Sequence, residues 1–202
     1  MLKFKKYRLD IVFTAPLLGT QPGANTPASD FIRNKVKEEN PNANIADEVP
    51  TLPEELEKGT TGFPRNAEGK PILFNYQVKG CFKNAGKILN GSHNFKGLES
   101  KITDLLTVIP RQIVINTDKP ITFLERPLRA QTMQGPRVSL VRSEMIAEGA
   151  TATCEIEVQE TTKVNFPDEL IMDLVSQIER AGFLQWRNSG TYGQAKITVT
   201  VL

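Results

Sequence analysis

A chain of 202 residues, 39% hydrophobic and 24% charged, has a globular composition and is long enough to bury its own core. This excludes disordered, collagenous and membrane-spanning classes. The longest apolar runs, such as 15–18, fall far short of the roughly 20 residues that cross a bilayer. A net charge of +2 does not by itself demand a polyanionic partner, so the placement of the basic residues carries the information.

The first residues are basic and pass into alternation, with no apolar export core, which predicts a cytoplasmic protein. Residues 7 to 14 place Tyr7, Leu9, Ile11 and Phe13 on one side of a half-buried strand. The Pro- and Gly-dense stretch that follows predicts a loop. A short helix is predicted from Ser29 to Glu39. Residues 40 to 71, rich in Asn, Pro, Glu and Gly, read as an exposed insertion with at most one helical turn near 53–58.

Residues 77 to 89 space Val78, Cys81, Phe82, Ala85, Ile88 and Leu89 as the buried stripe of a helix, with Lys79, Lys83 and Lys87 opposite. A further helix is predicted over 98–107 and a strand from Gln112 to Asn116. Extended segments follow at about 121–134 and 137–146, joined near Gly135. A strand at 151–158 alternates Ala152, Cys154, Ile156 and Val158 inward. Residues 167 to 181 form a helix with Asp168 and Glu169 in the first turn, a stripe of Leu170, Ile171, Leu174, Val175 and Ile178, and Gly182 beyond its end. The last strand, Ala195 to Leu202, turns Ile197, Val199 and Val201 inward.

In order, these elements predict an α+β protein with a ferredoxin-like (RRM-like) antiparallel sheet and helices on one face. The chain reads as one domain, 1–202, with a loop-rich insertion at about 19–70 and an extended central hairpin. Cys81 and Cys154 fall on buried faces, where reduced thiols act as small hydrophobes. One histidine and two separated cysteines make no zinc-type ligand set, and no cofactor is expected; a carboxylate-bound Mg²⁺ stays open.

Two polar constellations stand out. The hairpin carries Arg126, Arg129, Arg137 and Arg142 within about 20 residues, a dense set of planar forks suited to phosphate. Ordinary cross-hairpin pairing with Glu125 and Glu144 competes with that reading. Between the last helix and strand lie Gly182, Trp186, Arg187, Asn188, Gly190, Tyr192 and Gly193, which offer stacking surfaces, charge and backbone freedom. Here the competing reading is a glycine-rich turn plugged by a buried Trp186. His93 sits in a loop, and Asp30, beside the early loop, is the one catalytic candidate among the carboxylates.

The order of these motifs resembles the RAMP superfamily, the ferredoxin-fold proteins that form the RNA-binding backbone of CRISPR effector complexes. Residues 71 to 85 are similar to the family's extended stretch leading into a Lys-Gly helix start, here Lys79-Gly80. Residues 137 to 158 resemble the region before its last ferredoxin unit, and 182 to 193 its glycine-rich loop. The family's usual Ser-Ser is replaced by Tyr76, Gln77 and Val78, and the chain is short. The hairpin and terminal motifs further resemble small proteins of phages and mobile elements.

The resemblance implies binding of a strand along a face made of the helix start, the hairpin and the glycine-rich loop, with copies packed side by side. Family members that cut RNA use an acidic residue after the first strand, which Asp30 matches imprecisely, or a histidine. Together these readings predict non-catalytic binding of single-stranded RNA or DNA through its phosphates. The expected contacts are Lys79, Lys83, Arg126, Arg129, Arg137, Arg142, Trp186, Arg187, Asn188 and Tyr192, in a homo-oligomer or ribonucleoprotein. A phage-type interaction protein acting on a host complex and a RAMP-type endoribonuclease are the alternatives.

Overall fold

The computed structural model describes residues 3–22, 60–132, 135–161 and 164–202, with backbone alone over 127–132 and 135–140. The helices expected at 29–39 and near 53–58 lie outside these residues. In chain order the strands are β1 (Lys3–Phe13), β2 (Leu17–Leu18), β3 (Gln21–Pro22), β4 (Thr60–Gly62) and β5 (Ile72–Phe74). Helices α1 (Asn75–Ile88) and α2 (Leu98–Leu105) follow, then β6 (Leu106–Ile109), β7 (Gln112–Val114), β8 (Thr122–Thr132), β9 (Gly135–Ile146) and β10 (Thr151–Glu160). Helix α3 (Asp168–Ala181), the short turn α4 (Arg187–Gly190) and β11 (Ala195–Val201) complete the described chain. The protein is α+β, with antiparallel sheets.

The chain divides into two compact units. The first, residues 1–18, 64–120 and 146–202, holds a sheet ordered β11-β1-β10-β6 whose ladders are all antiparallel. β1 and β10 lie inside it, each with four buried alternate positions, and Tyr7, Leu9, Ile11 and Phe13 are each 1% exposed or less. Cys154, Ile156 and Val158 of β10 are buried on the same side, as are Val78, Phe82 and Ala85 of α1, Leu98 and Ile102 of α2 and the entire expected stripe of α3. Each such side chain contributes roughly 1.5 to 3 kcal/mol when taken fully out of water. Helix α3 starts after Pro167, carries Asp168 and Glu169 where the helix dipole favours negative charge, and stops at Gly182.

Burial pushes the Cys81 thiol up to about 11 and the Cys154 thiol up to about 12, and both cysteines are free.

Four expectations are corrected. The core-sheet strand after the helical segment is β6, with Leu106 and Val108 inward. The expected strand at 112–116 is instead the short β7, paired with β5. The helix expected at 98–107 had taken in the first two residues of β6, Leu106 and Thr107, because four residues are too few to show a period. Ile88 is 56% exposed, since burial along α1 ends at Gly86. Val201 is 57% exposed, since burial fades along β11, a sheet edge with one neighbour. Residues placed in loops also pack: Leu17, Leu18 and Phe63 are buried, and 60–62 form a strand.

The second unit, residues 19–63 and 121–145, is built on the β8–β9 hairpin, whose register runs from Thr122 opposite Met145 to Thr132 opposite Gly135. β4 runs parallel to β9 at Thr60 and Thr61, and β3 pairs antiparallel with β4. The Thr61 hydroxyl donates to Ser143 Oγ at 2.8 Å, and Glu144 Oε2 accepts from the Phe63 N–H at 2.8 Å.

One polar contact fixes β1 to α3. Tyr7 Oη donates to Asp168 Oδ1 at 2.7 Å, and Lys5 Nζ donates to the same oxygen at 3.2 Å and to the Phe166 carbonyl at 2.9 Å. Burial raises the Tyr7 hydroxyl well above its ordinary range, and the bond from Tyr7 holds Asp168 below its ordinary 3.8. A depressed carboxylate contributes stability that is complete above its unfolded value and is lost as pH falls through the folded one. Tyr7→Phe is therefore expected to melt a few degrees below wild type at neutral pH, and the gap should start to shrink as the pH drops below 3.8 and close once it passes below the depressed value of the folded state. Thermal melts across that window check it; a gap that persists in acid assigns the loss to packing.

Candidate nucleic-acid interface

The start of α1 is set by the chain around it. Phe74 is extended and pairs with Gln112 in the β5–β7 ladder, and its N–H donates to Gln77 Oε1 at 2.8 Å. The Asn75 N–H donates to the Arg111 carbonyl at 3.0 Å, and Asn75 Nδ2 donates to the Val108 carbonyl at 3.2 Å. Arg111 is thereby held beside the first turn of α1, with its side chain exposed. Tyr76 is 61% exposed, and its ring stacks on Phe74 with centroids 5.3 Å apart and planes 14° from parallel.

The helical period of 3.6 puts Tyr76, Lys79, Lys83 and Lys87 on one side of α1, opposite the buried Val78, Phe82 and Ala85. Lys79 and Lys83 are half-buried and Lys87 exposed. Among the described residues, none of these lysines and not the Arg111 guanidinium meets a carboxylate or another hydrogen-bond partner. A row of cations without counter-charges, about 12 Å from Lys79 to Lys87 at 1.5 Å per residue, attracts a chain of anions. Tyr76 and Arg111 were missed by sequence reasoning. Tyr76 stood out only as a departure from a motif, and nothing local links Arg111 to it.

The hairpin arginines are differently placed. Arg142 lies opposite Glu125 in the register, with Nε 3.4 Å from Glu125 Oε1. This is ion-pair distance, yet that N–H finds no aligned acceptor among the described residues. The attraction is thus coulombic rather than a hydrogen bond. The Arg142 guanidinium also sits 4.0 Å from the Phe123 ring centroid, a cation–π contact. Its charge is already engaged. Arg126 is half-buried. Arg129 stands opposite Val138 and Arg137 opposite Ala130, at ladder positions of opposite parity.

The glycine-rich loop packs largely on itself. The Phe183 N–H donates to the Gly193 carbonyl at 2.9 Å, and the Gly193 N–H to the Pro16 carbonyl at 2.8 Å. A Cβ on Gly190 would fall 2.8 Å from the Tyr192 ring, so the half-buried Tyr192 lies against Gly190. Trp186 is half-buried, in contrast to the core plug that was the alternative, and Arg187 is half-buried too. Arg187 Nη1 donates to Cys81 Sγ at 3.5 Å, which ties the loop to the buried side of α1. Asn188 is exposed. Leu184, Trp186 and Thr191 all have positive φ near 60°, a conformation costing non-glycine residues roughly 1 to 2 kcal/mol each, so the loop is held to one shape by its surroundings.

The His93 ring Nε2 lies 2.8 Å from Asp173 Oδ2, beyond the C-terminal end of α1 and so about 20 Å of helix away from Tyr76. Asp30 lies outside the described residues. Among the described residues no group of three or more His, Cys, Asp or Glu could hold a metal ion, and no helix is long and apolar enough to cross a membrane.

No protein-family model matches the chain, and no curated protein matches it. Solved structures do. A chain in the cryo-EM structure of the Type III-B Cmr-beta bound to cognate target RNA aligns with a TM-score of 0.54 over 99% of this chain at 12% identity. This chain spans 61% of the length of that one. At such identity the likeness is one of fold alone.

Proposed function

We propose that the protein binds single-stranded nucleic acid, RNA before DNA, through its phosphate backbone, without cutting it. The observation that carries the reading is the row of uncompensated cations on α1 and at Arg111, beside an exposed aromatic pair. Phosphate attraction plus an aromatic face is the combination that holds single strands with little regard to sequence. The sheet order β11-β1-β10-β6, with the helices on one face, supports the ferredoxin-like form of the fold. RNA is favoured because the fold is shared with a chain from a structure bound to target RNA. In this reading the helix start, with Lys79 and Lys83, is the main contact. Arg187 and Asn188 approach from the glycine-rich loop, and Trp186 and Tyr192 shape that loop; Arg126, Arg129 and Arg137 are the charges of the hairpin, in the second unit. Copies assemble side by side along the strand, using the free edge of β11, as a homo-oligomer or within a ribonucleoprotein in the cytoplasm.

Fluorescence anisotropy with a labelled single-stranded RNA tests this. Affinity should fall steeply with salt, each released phosphate contact contributing a slope of about −0.7 in log K against log salt. It should vary little between sequences, and the strand should be recovered intact with or without Mg²⁺. A flat salt response would overturn the reading in favour of an interaction protein, and cleavage would overturn it in favour of a nuclease.

A further inference from the structure

Resting on the strand-binding reading, we infer that Tyr76, backed by Phe74, is a platform on which one unpaired nucleobase of the bound strand stacks. Three observations converge on it. First, Tyr76 is 61% exposed at the junction of a strand and a helix, although a tyrosine ring gains most from burial. Its one ring contact among the described residues, with Phe74 at 5.3 Å and 14°, holds it nearly parallel to the ring beneath and leaves the outer face open among them. Second, the cations around it have no partner among the described residues: Lys79 and Lys83 follow on the same side of α1, and Arg111 is held at the first turn. A base on the ring would have its own and the next phosphates within this set.

The third observation is Gly80. It sits one turn after Tyr76, where a helical side chain leans back over the residue four before it. A Cβ at Gly80 would meet nothing within 4 Å, so no internal packing calls for glycine there. Glycine inside a helix costs roughly 0.5 to 1 kcal/mol against alanine. Only a side chain longer than alanine's would reach over the ring from this position, and glycine leaves it uncovered at some cost to the helix. The occupant that fits an open aromatic face flanked by uncompensated cations is a stacked base on a phosphate chain. An acidic peptide would use the cations but not the ring.

The test is anisotropy with a short fluorescein-labelled polyuridine strand. Tyr76→Ala is expected to weaken binding about 5- to 150-fold, the range for loss of one base–aromatic stack. Its salt slope should stay that of wild type, because the ring touches no phosphate. Tyr76→Trp should bind at least as well as wild type. A sugar-phosphate strand lacking bases should bind wild type and Tyr76→Ala equally. As an independent variant, Gly80→Leu should raise the melting temperature while weakening binding, by covering the ring. If wild type binds with a steep salt dependence but Tyr76→Ala and Gly80→Leu bind within twofold of it, the platform is wrong and the strand-binding reading survives. If wild type does not bind the strand, both fall. Should Tyr76→Ala instead abolish association between copies and leave strand affinity intact, Tyr76 belongs to a protein interface and the platform is overturned.

Discussion

Gly193→Ala is expected to destabilise the protein by about 3 to 5 kcal/mol, the largest effect of a single methyl group in the first unit. Gly193 has φ +69, where a Cβ costs roughly 1 to 2 kcal/mol. That Cβ would also fall 2.2 Å from the Phe183 carbonyl oxygen and 2.9 Å from the Phe183 nitrogen. These are backbone atoms and cannot rotate away as a side chain would. Separating the segments strains the Phe183 to Gly193 bond and the Gly193 to Pro16 bond, each worth about 1 kcal/mol. Phe183, 2% exposed and packed edge-on to Phe13 at 5.6 Å, would move with them. Gly69→Ala is the control: its φ is +76, but nothing lies within 4 Å of the added carbon, so it should lose only the conformational part. Denaturant unfolding of both variants decides the matter. Equal losses would mean that the close approach of 183 to 193 contributes nothing.

The double variant Lys79→Glu/Lys83→Glu should lose at least about 25-fold in strand affinity at 0.1 M salt. Two lost phosphate contacts remove about 1.4 from the slope of log K against log salt, which at a tenth of the 1 M reference is a factor of about 25, and reversed charges add repulsion. Folding should be little changed. Lys and Glu have nearly the same helix propensity, and neither lysine has a partner to lose among the described residues. Arg142→Ala should cost far less binding, because Glu125 and Phe123 already engage that guanidinium. If the two substitutions rank the other way, the hairpin and not α1 is the strand-binding surface.

The sequence by itself determined the periodic elements and the sides they bury. Tyr7 to Phe13 and Ala152 to Val158 alternate with period two, and Leu170 to Ile178 repeat with period 3.6. Each is long enough for its pattern to exceed chance, and all three sets are buried as their spacing requires. The caps of α3 were equally plain, because Pro167, the two acids and Gly182 act through local backbone geometry and the helix dipole. Of the short elements, β7 lies within the strand expected at 112–116, but its pairing with β5 did not show. Four residues of β6 and three of β5 carry too little pattern, and their strand character comes from ladder partners far away in the chain.

What a side chain is free to do was likewise decided only by the tertiary structure. Arg142 looked like an anion fork until the hairpin register set Glu125 across from it. Tyr192 and Trp186 read as stacking surfaces in the sequence, and the folded loop leaves both half-buried. Conversely, Tyr76 and Arg111 lie 35 positions apart, and both come to the start of α1 because β5 pairs with β7 and the Asn75 N–H bonds the Arg111 carbonyl. Periodicity reports which face of an element is apolar. Whether a charge keeps its reach, or two distant side chains share a surface, depends on non-local pairing that no local pattern encodes.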